Sequence, residues 1–328
     1  MSSSTPDRRS GPDRAGRLSR SPEGMDVRAA LKLGIGLLRE AEVPSDTLAA
    51  ELLLLASTGR TRTSLYSHPE ALLSEAESQT YFRLLELRAS GMPTQHLTRK
   101  QEFWGLEIEV TPDTLIPRPE TEHVIEVALD RMALADLRLK HAQNMTGAGL
   151  CLADVGTGSG CIALALAKEL PAAEIHAFDI SPAALAVARR NAERLGFARH
   201  IRFLESDMFS ALAELQATFQ RPSLYDLIVS NPPYIGRREA GTLSGEVRDH
   251  EPEIALYGGE EGYELYSGLV AQSAGRLKPG GILVLELGHD SLSAVEPLFD
   301  TPEWTKIDVT NDLAGIPRVL SAERRGPA

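Results

Sequence analysis

Only two cysteines occur in the 328 residues, Cys151 and Cys161. A disulfide scaffold of this length needs more of them, so the sequence implies a reducing cytoplasm and two thiols buried as small hydrophobes. Clusters of Cys and His at metal-ligand spacing are also lacking; the eight histidines are scattered, and no metal is expected. No apolar run approaches the roughly 20 residues that span a bilayer, which excludes a membrane-spanning helix. Basic charge is scarce too. With 34 Lys and Arg against 46 Asp and Glu, the net charge is −12. That argues against affinity built on phosphate neutralisation, hence against direct nucleic-acid binding, but leaves a basic protein partner open. No internal repeat is visible. What is there, 42% hydrophobic and 24% charged residues, is a globular balance sufficient for one large domain and a smaller one.

Residues 1–24 are Ser, Pro, Gly and Arg with almost nothing to bury, and read as a disordered tail. Their five arginines raise the alternative of a transit peptide, but Asp7, Asp13 and Glu23 and the lack of an amphipathic stripe speak against it. Over 25–92 apolar residues recur at helical spacing: Leu31, Ile35 and Leu38; then Leu48, Leu52 and Leu55; then Leu84, Leu85 and Leu87. This is a small N-terminal helical bundle, with seven basic and nine acidic residues and so no footprint for DNA. Residues 93–114 read as a linker containing a hairpin that turns at Trp104-Gly105. From 115 to 328 strand and helix patterns alternate. Strands are expected at 150–155, 174–179, 200–204, 224–230, 281–287, 303–310 and 317–322. The fold class is α/β, a seven-stranded mostly parallel sheet with helices on both faces.

The first of these strands runs into Gly156-Thr157-Gly158-Ser159-Gly160, and a helix follows at once. Glycines let a backbone turn tightly and approach a ligand, and the helix N-terminus behind them offers free N–H groups. A dinucleotide fingerprint wants a sixth-position glycine where this chain has Cys161. The form led by Asp154 resembles instead the first motif of Rossmann-like methyltransferases. Asp179 ends the second strand, about 20 residues on, where an acid can bind ribose hydroxyls; the alternative is that it only caps the next helix, or that Ser181 does so. After the third strand, Asp207 and Met208 are placed to border an adenine, or are a turn acid and a core residue.

The fourth strand ends in Asn231-Pro232-Pro233-Tyr234. Consecutive prolines fix φ twice and remove two donors, leaving a stiff hook with carbonyls free to accept. An amide or exocyclic amine nitrogen is a poor nucleophile, because its lone pair is delocalised. The Asn231 side-chain oxygen and the Pro232 carbonyl can each accept one of its N–H groups, and Tyr234 can pack on its flat face. Catalysis is then mainly positioning and electrostatics. Alone the tetrapeptide is also compatible with a plain strand-ending turn.

Across residues 25–325 the chain resembles the release-factor glutamine methyltransferases, the PrmC/HemK family. The resemblance is carried by IPRPETE (116–122), DVGTGSGCIALALA (154–167), FDIS (178–181), SDMFSAL (206–212), IVSNPPYI (228–235), EPEIAL (251–256), LKPGGILVLELG (277–288) and DLAGIPRV (312–319). It implies a class I methyltransferase that uses S-adenosyl-L-methionine to methylate the glutamine of the Gly-Gly-Gln loop in peptide chain release factors, acting in the cytoplasm as a monomer. The cofactor would be held by Gly156 to Gly160, Asp179, Met208 and Asn231, and the glutamine by Asn231, Pro232, Pro233 and Tyr234. Asn-Pro-Pro-Tyr is shared with methyltransferases of DNA adenine and RNA guanine, and a ribosomal-protein glutamine is a further alternative; IPRPETE favours release factors. A catalytically idle cofactor-binding protein is the alternative from another class. The chain departs from the family at Met208, where an aromatic is common, and at His250 and Tyr263.

Overall fold

The structure, a computed structural model, describes residues 24–138, 146–212 and 224–326. The expected N-terminal tail, apart from Gly24, lies outside them. Two compact units divide between Thr98 and Arg99.

The first unit is helical: α1 (Val27–Glu40), α2 (Asp46–Thr58), α3 (Arg62–Ser67), α4 (Glu75–Ala89) and α5 (Thr94–Thr98). Three of its helices, α1, α3 and α4, start on side-chain caps. Asp26 accepts from the Ala29 N–H at 2.7 Å. Ser74 and Glu77 form a reciprocal capping box that satisfies two otherwise orphaned donors. The core gathers Leu38, Leu53, Leu54, Tyr81, Phe82 and Leu85. The expected stripe on α2 is displaced: Ala49, Ala50, Leu53 and Leu54 are buried, whereas Leu48 is 46% exposed. Four consecutive leucines at 52–55 carry no period of their own, so only packing chooses the inward face.

The second unit opens with a hairpin, β1 (Lys100–Phe103) and β2 (Leu106–Glu109), antiparallel and turning at Trp104-Gly105 as the alternation predicts. It is pinned at both ends. The Trp104 N–H donates to Glu122 at 2.7 Å. The Asn191 side chain bonds both the N–H and the carbonyl of Glu109, at 2.7 and 2.9 Å, as a neighbouring strand would.

After α6 (Glu122–Arg138) come β3 (Cys151–Val155), α7 (Cys161–Glu169), β4 (Glu174–Asp179), α8 (Pro182–Leu195), β5 (Ile201–Glu205) and β6 (Tyr225–Ser230). Short strands β7 (Ile235–Gly236) and β8 (Tyr257–Gly259) pair with each other, and β9 (Leu277–Glu286), β10 (Trp304–Asn311) and β11 (Pro317–Arg324) finish the fold. All seven expected strands form one sheet, in the order β10-β11-β9-β6-β3-β4-β5. Only β11 runs against its neighbours, because the five residues between β10 and β11 permit a hairpin and not a crossover. Apolar layers cover both faces. Leu152, Ile175, Leu227 and Val284 are on one, and Phe178, Tyr225, Leu283 and Leu285 are on the other. Successive strands step outward from β3 to β5, and the chain then returns to the other side of β3 as β6. Ligands collect at such a switch point, outside the carboxyl ends of the strands. Among the described residues no helix is long and apolar enough to cross a membrane.

Candidate active site

Both motifs singled out in the sequence emerge at that switch point, the glycine loop from β3 and the proline hook from β6. They share one cavity of about 530 Å³, within the usual range for small-molecule sites.

The loop is built on positive φ. Gly156, Gly158 and Gly160 stand at 75°, 55° and 85°, where a side chain is strained. Its first two N–H groups donate to the Phe178 carbonyl at 2.8 and 2.9 Å, tying it to the end of β4. Asp154 holds it from below. This fully buried carboxylate accepts the Thr157 hydroxyl at 2.6 Å and the Ala163 N–H at 3.1 Å. Burial pushes its carboxyl up to about 7, against the pull of those two donors. The folded state therefore keeps a proton that the unfolded chain gives up. Its contribution to stability is full below pH of about 4 and is lost as pH rises through about 7. In thermal melts taken across that window, Asp154→Asn should gain on the wild type as pH rises, since the variant has no such proton to lose.

Ser181 caps α8 by accepting from the Ala184 N–H at 3.2 Å. Asp179 instead accepts the Gly158 N–H at 2.8 Å and the Ser181 N–H at 2.9 Å, and lies in the cavity wall. Burial raises its pKa, partly offset by these backbone donors. Met208 also borders the cavity, with φ 49°, a left-handed conformation unusual for a side chain of its size. Its neighbour Phe209 belongs to the core, edge-on to Phe178 at 5.5 Å.

Asn231, Pro232 and Pro233 line the cavity beside the glycine loop, a Cβ on Gly156 lying 3.9 Å from the Asn231 carbonyl oxygen. The Asn231 Nδ2 donates to the Thr121 hydroxyl at 3.1 Å, which commits that end of the amide and turns Oδ1 to the acceptor role. Two expected residues stand apart from the cavity. Gly160 caps α7 (Cys161–Glu169), and a Cβ there would lie 3.1 Å from Ala188. Tyr234 turns back against Gly288 and donates to Glu286 Oε1 at 3.2 Å; burial raises its pKa. It braces the hook from behind. Cys161 lines the cavity, and burial pushes both thiols up to about 12, so neither is a thiolate at neutral pH.

The sequence did not reveal how the remaining motifs serve this site. Glu251 is almost wholly buried, accepts the Ile116 N–H at 3.0 Å and pairs with Arg118 at 2.5 Å. IPRPETE is thereby strapped to the 251–256 segment along the cavity rim. Asp113, Thr114, Leu115, Pro117 and Thr121 join the wall. In DLAGIPRV, Asp312 accepts from the Ala314 and Ile316 N–H groups and from Arg318, setting the turn between the last two strands. IPRPETE and EPEIAL could be quoted without their mutual contacts, because those partners lie 133 and 135 positions apart in the chain.

Residues 29–98 match the family described as the PrmC N-terminal domain, and residues 135–245 match the methyltransferase small domain. The release factor glutamine methyltransferase of Koribacter versatilis is 40% identical over 296 residues, 90% of this chain and 98% of that relative. The one from Bradyrhizobium diazoefficiens is 39% identical over 313 residues, 95% of this chain and 99% of the relative. A solved protein-(glutamine-N5) methyltransferase (release factor-specific) from Alicyclobacillus acidocaldarius is 29% identical and covers 66% of this chain and 99% of its own, with a TM-score of 0.40. With a glycine loop and a proline hook facing one cavity, and with such identity running along nine-tenths of its length, the chain belongs to the family of release factor glutamine methyltransferases.

Proposed function

We propose that this chain methylates the side-chain amide nitrogen of the glutamine in the Gly-Gly-Gln loop of peptide chain release factors, with S-adenosyl-L-methionine as donor. The observation that carries the reading is the shared cavity. Its lining brings the glycine loop and an acid, Asp179, beside a hook with a pair of acceptors.

The residues present fit the donor. Gly156 and Gly158, both at positive φ, keep side chains off the cavity. Asp179 suits ribose hydroxyls, and Met208 with Ile180 and Leu269 suits an apolar ring. When bound, S-adenosylmethionine would supply a methyl, its C–S electron pair returning to sulfur as the C–N bond forms, and the nitrogen's displaced proton would pass to water. The chain's own task is positioning. Asn231 Oδ1 and the Pro232 carbonyl accept the two N–H groups of the glutamine amide, aim its nitrogen into the cavity and favour a more pyramidal geometry. Prolines at 232 and 233 keep that pair from relaxing. Tyr234 stiffens the hook through Glu286 rather than by stacking on substrate.

The test is mass spectrometry of a release-factor peptide after incubation with the protein and donor. One added methyl on the loop glutamine is expected; label entering only nucleic acid, or only other proteins, would overturn the substrate assignment. For the donor site, Asp179→Ala should weaken S-adenosylmethionine binding about 10–100-fold, since hydrogen bonds to a charged group contribute about 1.5–3 kcal/mol. Calorimetric titration reads that change directly, and an unaltered affinity would remove Asp179 from the donor site.

A further inference from the structure

Behind the hook, at the carboxyl end of β9, lies a carboxylate that takes no direct part in methyl transfer. Glu286 is 0% exposed. Its Oε1 accepts the Tyr234 hydroxyl at 3.2 Å. Among the described residues Oε2 has no hydrogen-bond partner. A buried acceptor left unspent has a cost, so a fold that keeps one invites an explanation.

Thr121 supplies it. This residue of the IPRPETE segment is 2% exposed, and its Oγ1 accepts the Asn231 Nδ2–H at 3.1 Å. A hydroxyl that accepts there still has its own hydrogen to place. Glu286 stands beside that pair, since Ser230 pairs with Leu285 and Asn231 and Glu286 follow them together, and its unpartnered Oε2 is the acceptor available to that hydrogen; burial raises the Glu286 carboxyl, while Thr121 and Tyr234 favour its charged form. Arg318 supports that charged form from further off, while Glu120 opposes it.

We propose that Glu286 is a positioning residue that sets the polarity of the active-site amide: it draws the Thr121 hydrogen toward itself, so Thr121 must accept from Asn231, so Asn231 must present oxygen rather than nitrogen to the substrate. Its other oxygen anchors Tyr234 and with it the hook. An asparagine amide is nearly symmetric in shape, so shape alone does not choose which end faces the cavity. Reversed, it would offer a donor to an NH₂ group that is itself a donor, and the substrate nitrogen would be repelled. In its charged form this buried carboxylate, one hydroxyl away, removes that ambiguity. The inference rests on the amide-methylation reading for its consequence, though not for its geometry.

The variants are made in the full-length chain. Glu286→Gln can turn its NH₂ to Thr121, reversing the hydrogen-bond direction. Thr121→Val deletes the relay while keeping the volume; Thr121→Ser keeps the hydroxyl. With release factor as substrate, Glu286→Gln and Thr121→Val should each lower kcat about 10²-fold, as misplacement of an acceptor does, while KM and donor affinity move less than about threefold, since uniform binding is untouched. Thr121→Ser should restore most of what Thr121→Val loses. The double variant should be little worse than either single one, because the two residues act as a unit. A second readout needs no substrate. In protein labelled with ¹⁵N at asparagine, the Asn231 side-chain amide resonances should shift in Glu286→Gln and Thr121→Val and stay near wild type in Thr121→Ser.

Full kcat in Glu286→Gln, a Ser variant as poor as Val, or unmoved Asn231 resonances would each overturn the relay. Were the wild type itself to leave release factor unmethylated, the substrate reading would fail, and the resonances would still decide whether Glu286 orients Asn231.

Discussion

Replacing Asn231 by Ala should lower methyl transfer to a release-factor glutamine by about 10²–10³-fold, the scale on which removal of one preorganised polar contact reduces catalysis. The expectation follows from how the residue is held. Its Nδ2 is bound to Thr121, so its Oδ1 is delivered in a fixed direction and loses little mobility on accepting the substrate. Donor affinity should fall far less than transfer. Most of the donor wall belongs to the glycine loop and to Asp179, Ile180 and Met208, while Asn231 contributes only an edge of the cavity. Single-turnover transfer beside calorimetric donor titration separates the two quantities. Near-normal transfer by the variant would mean that the hook does not hold the amide.

The second large effect is expected at Gly258, a residue with no chemistry. It lies on β8, which pairs with β7 directly after the hook. A Cβ at 258 would stand 2.3 Å from the Pro233 carbonyl oxygen and 2.3 Å from that of Gly262. Both obstacles are backbone, so neither can rotate away, and the hook itself has to shift. Gly258→Ala should therefore cost about 1–3 kcal/mol in stability, as overpacking does, and about 10²-fold in kcat, the effect of displacing a positioned group by an ångström or so. Gly241 is a useful comparison: a Cβ there meets nothing within 4 Å, and Gly241→Ala should leave melting temperature and transfer near wild type. Normal kcat in a folded Gly258→Ala protein would show that the hook tolerates displacement and that its exact placement does not govern the rate.

Much of this fold is legible in the chain. Strand patterning from Leu150 onward locates all seven strands of the sheet, because buried strands are short apolar runs between turn formers and need no distant information. The glycine loop is legible for a related reason, since positive φ at Gly156, Gly158 and Gly160 is written as residue type. Less is legible where chemistry or shape leaves several choices. The four leucines of α2 (Asp46–Thr58) could face inward in more than one way, and packing against α1 and α4 selects Leu53 and Leu54. Tyr234 is the opposite case. Its place in the tetrapeptide suggests contact with substrate, yet its hydroxyl finds Glu286, 52 positions on.

What the sequence by itself determined is therefore local: element type, the strained glycine turn, the stiff proline hook, and the order in which they follow. Only the tertiary structure decided which ends of which strands meet, that Thr121 reaches Asn231 across 110 positions, and that Asp154 and Glu286 are sealed from water with carboxyls raised to about 7. The physical reason is range. Backbone preference acts over a few residues and is encoded in each side chain, whereas desolvation and hydrogen-bond direction belong to neighbours that a chain acquires only on folding.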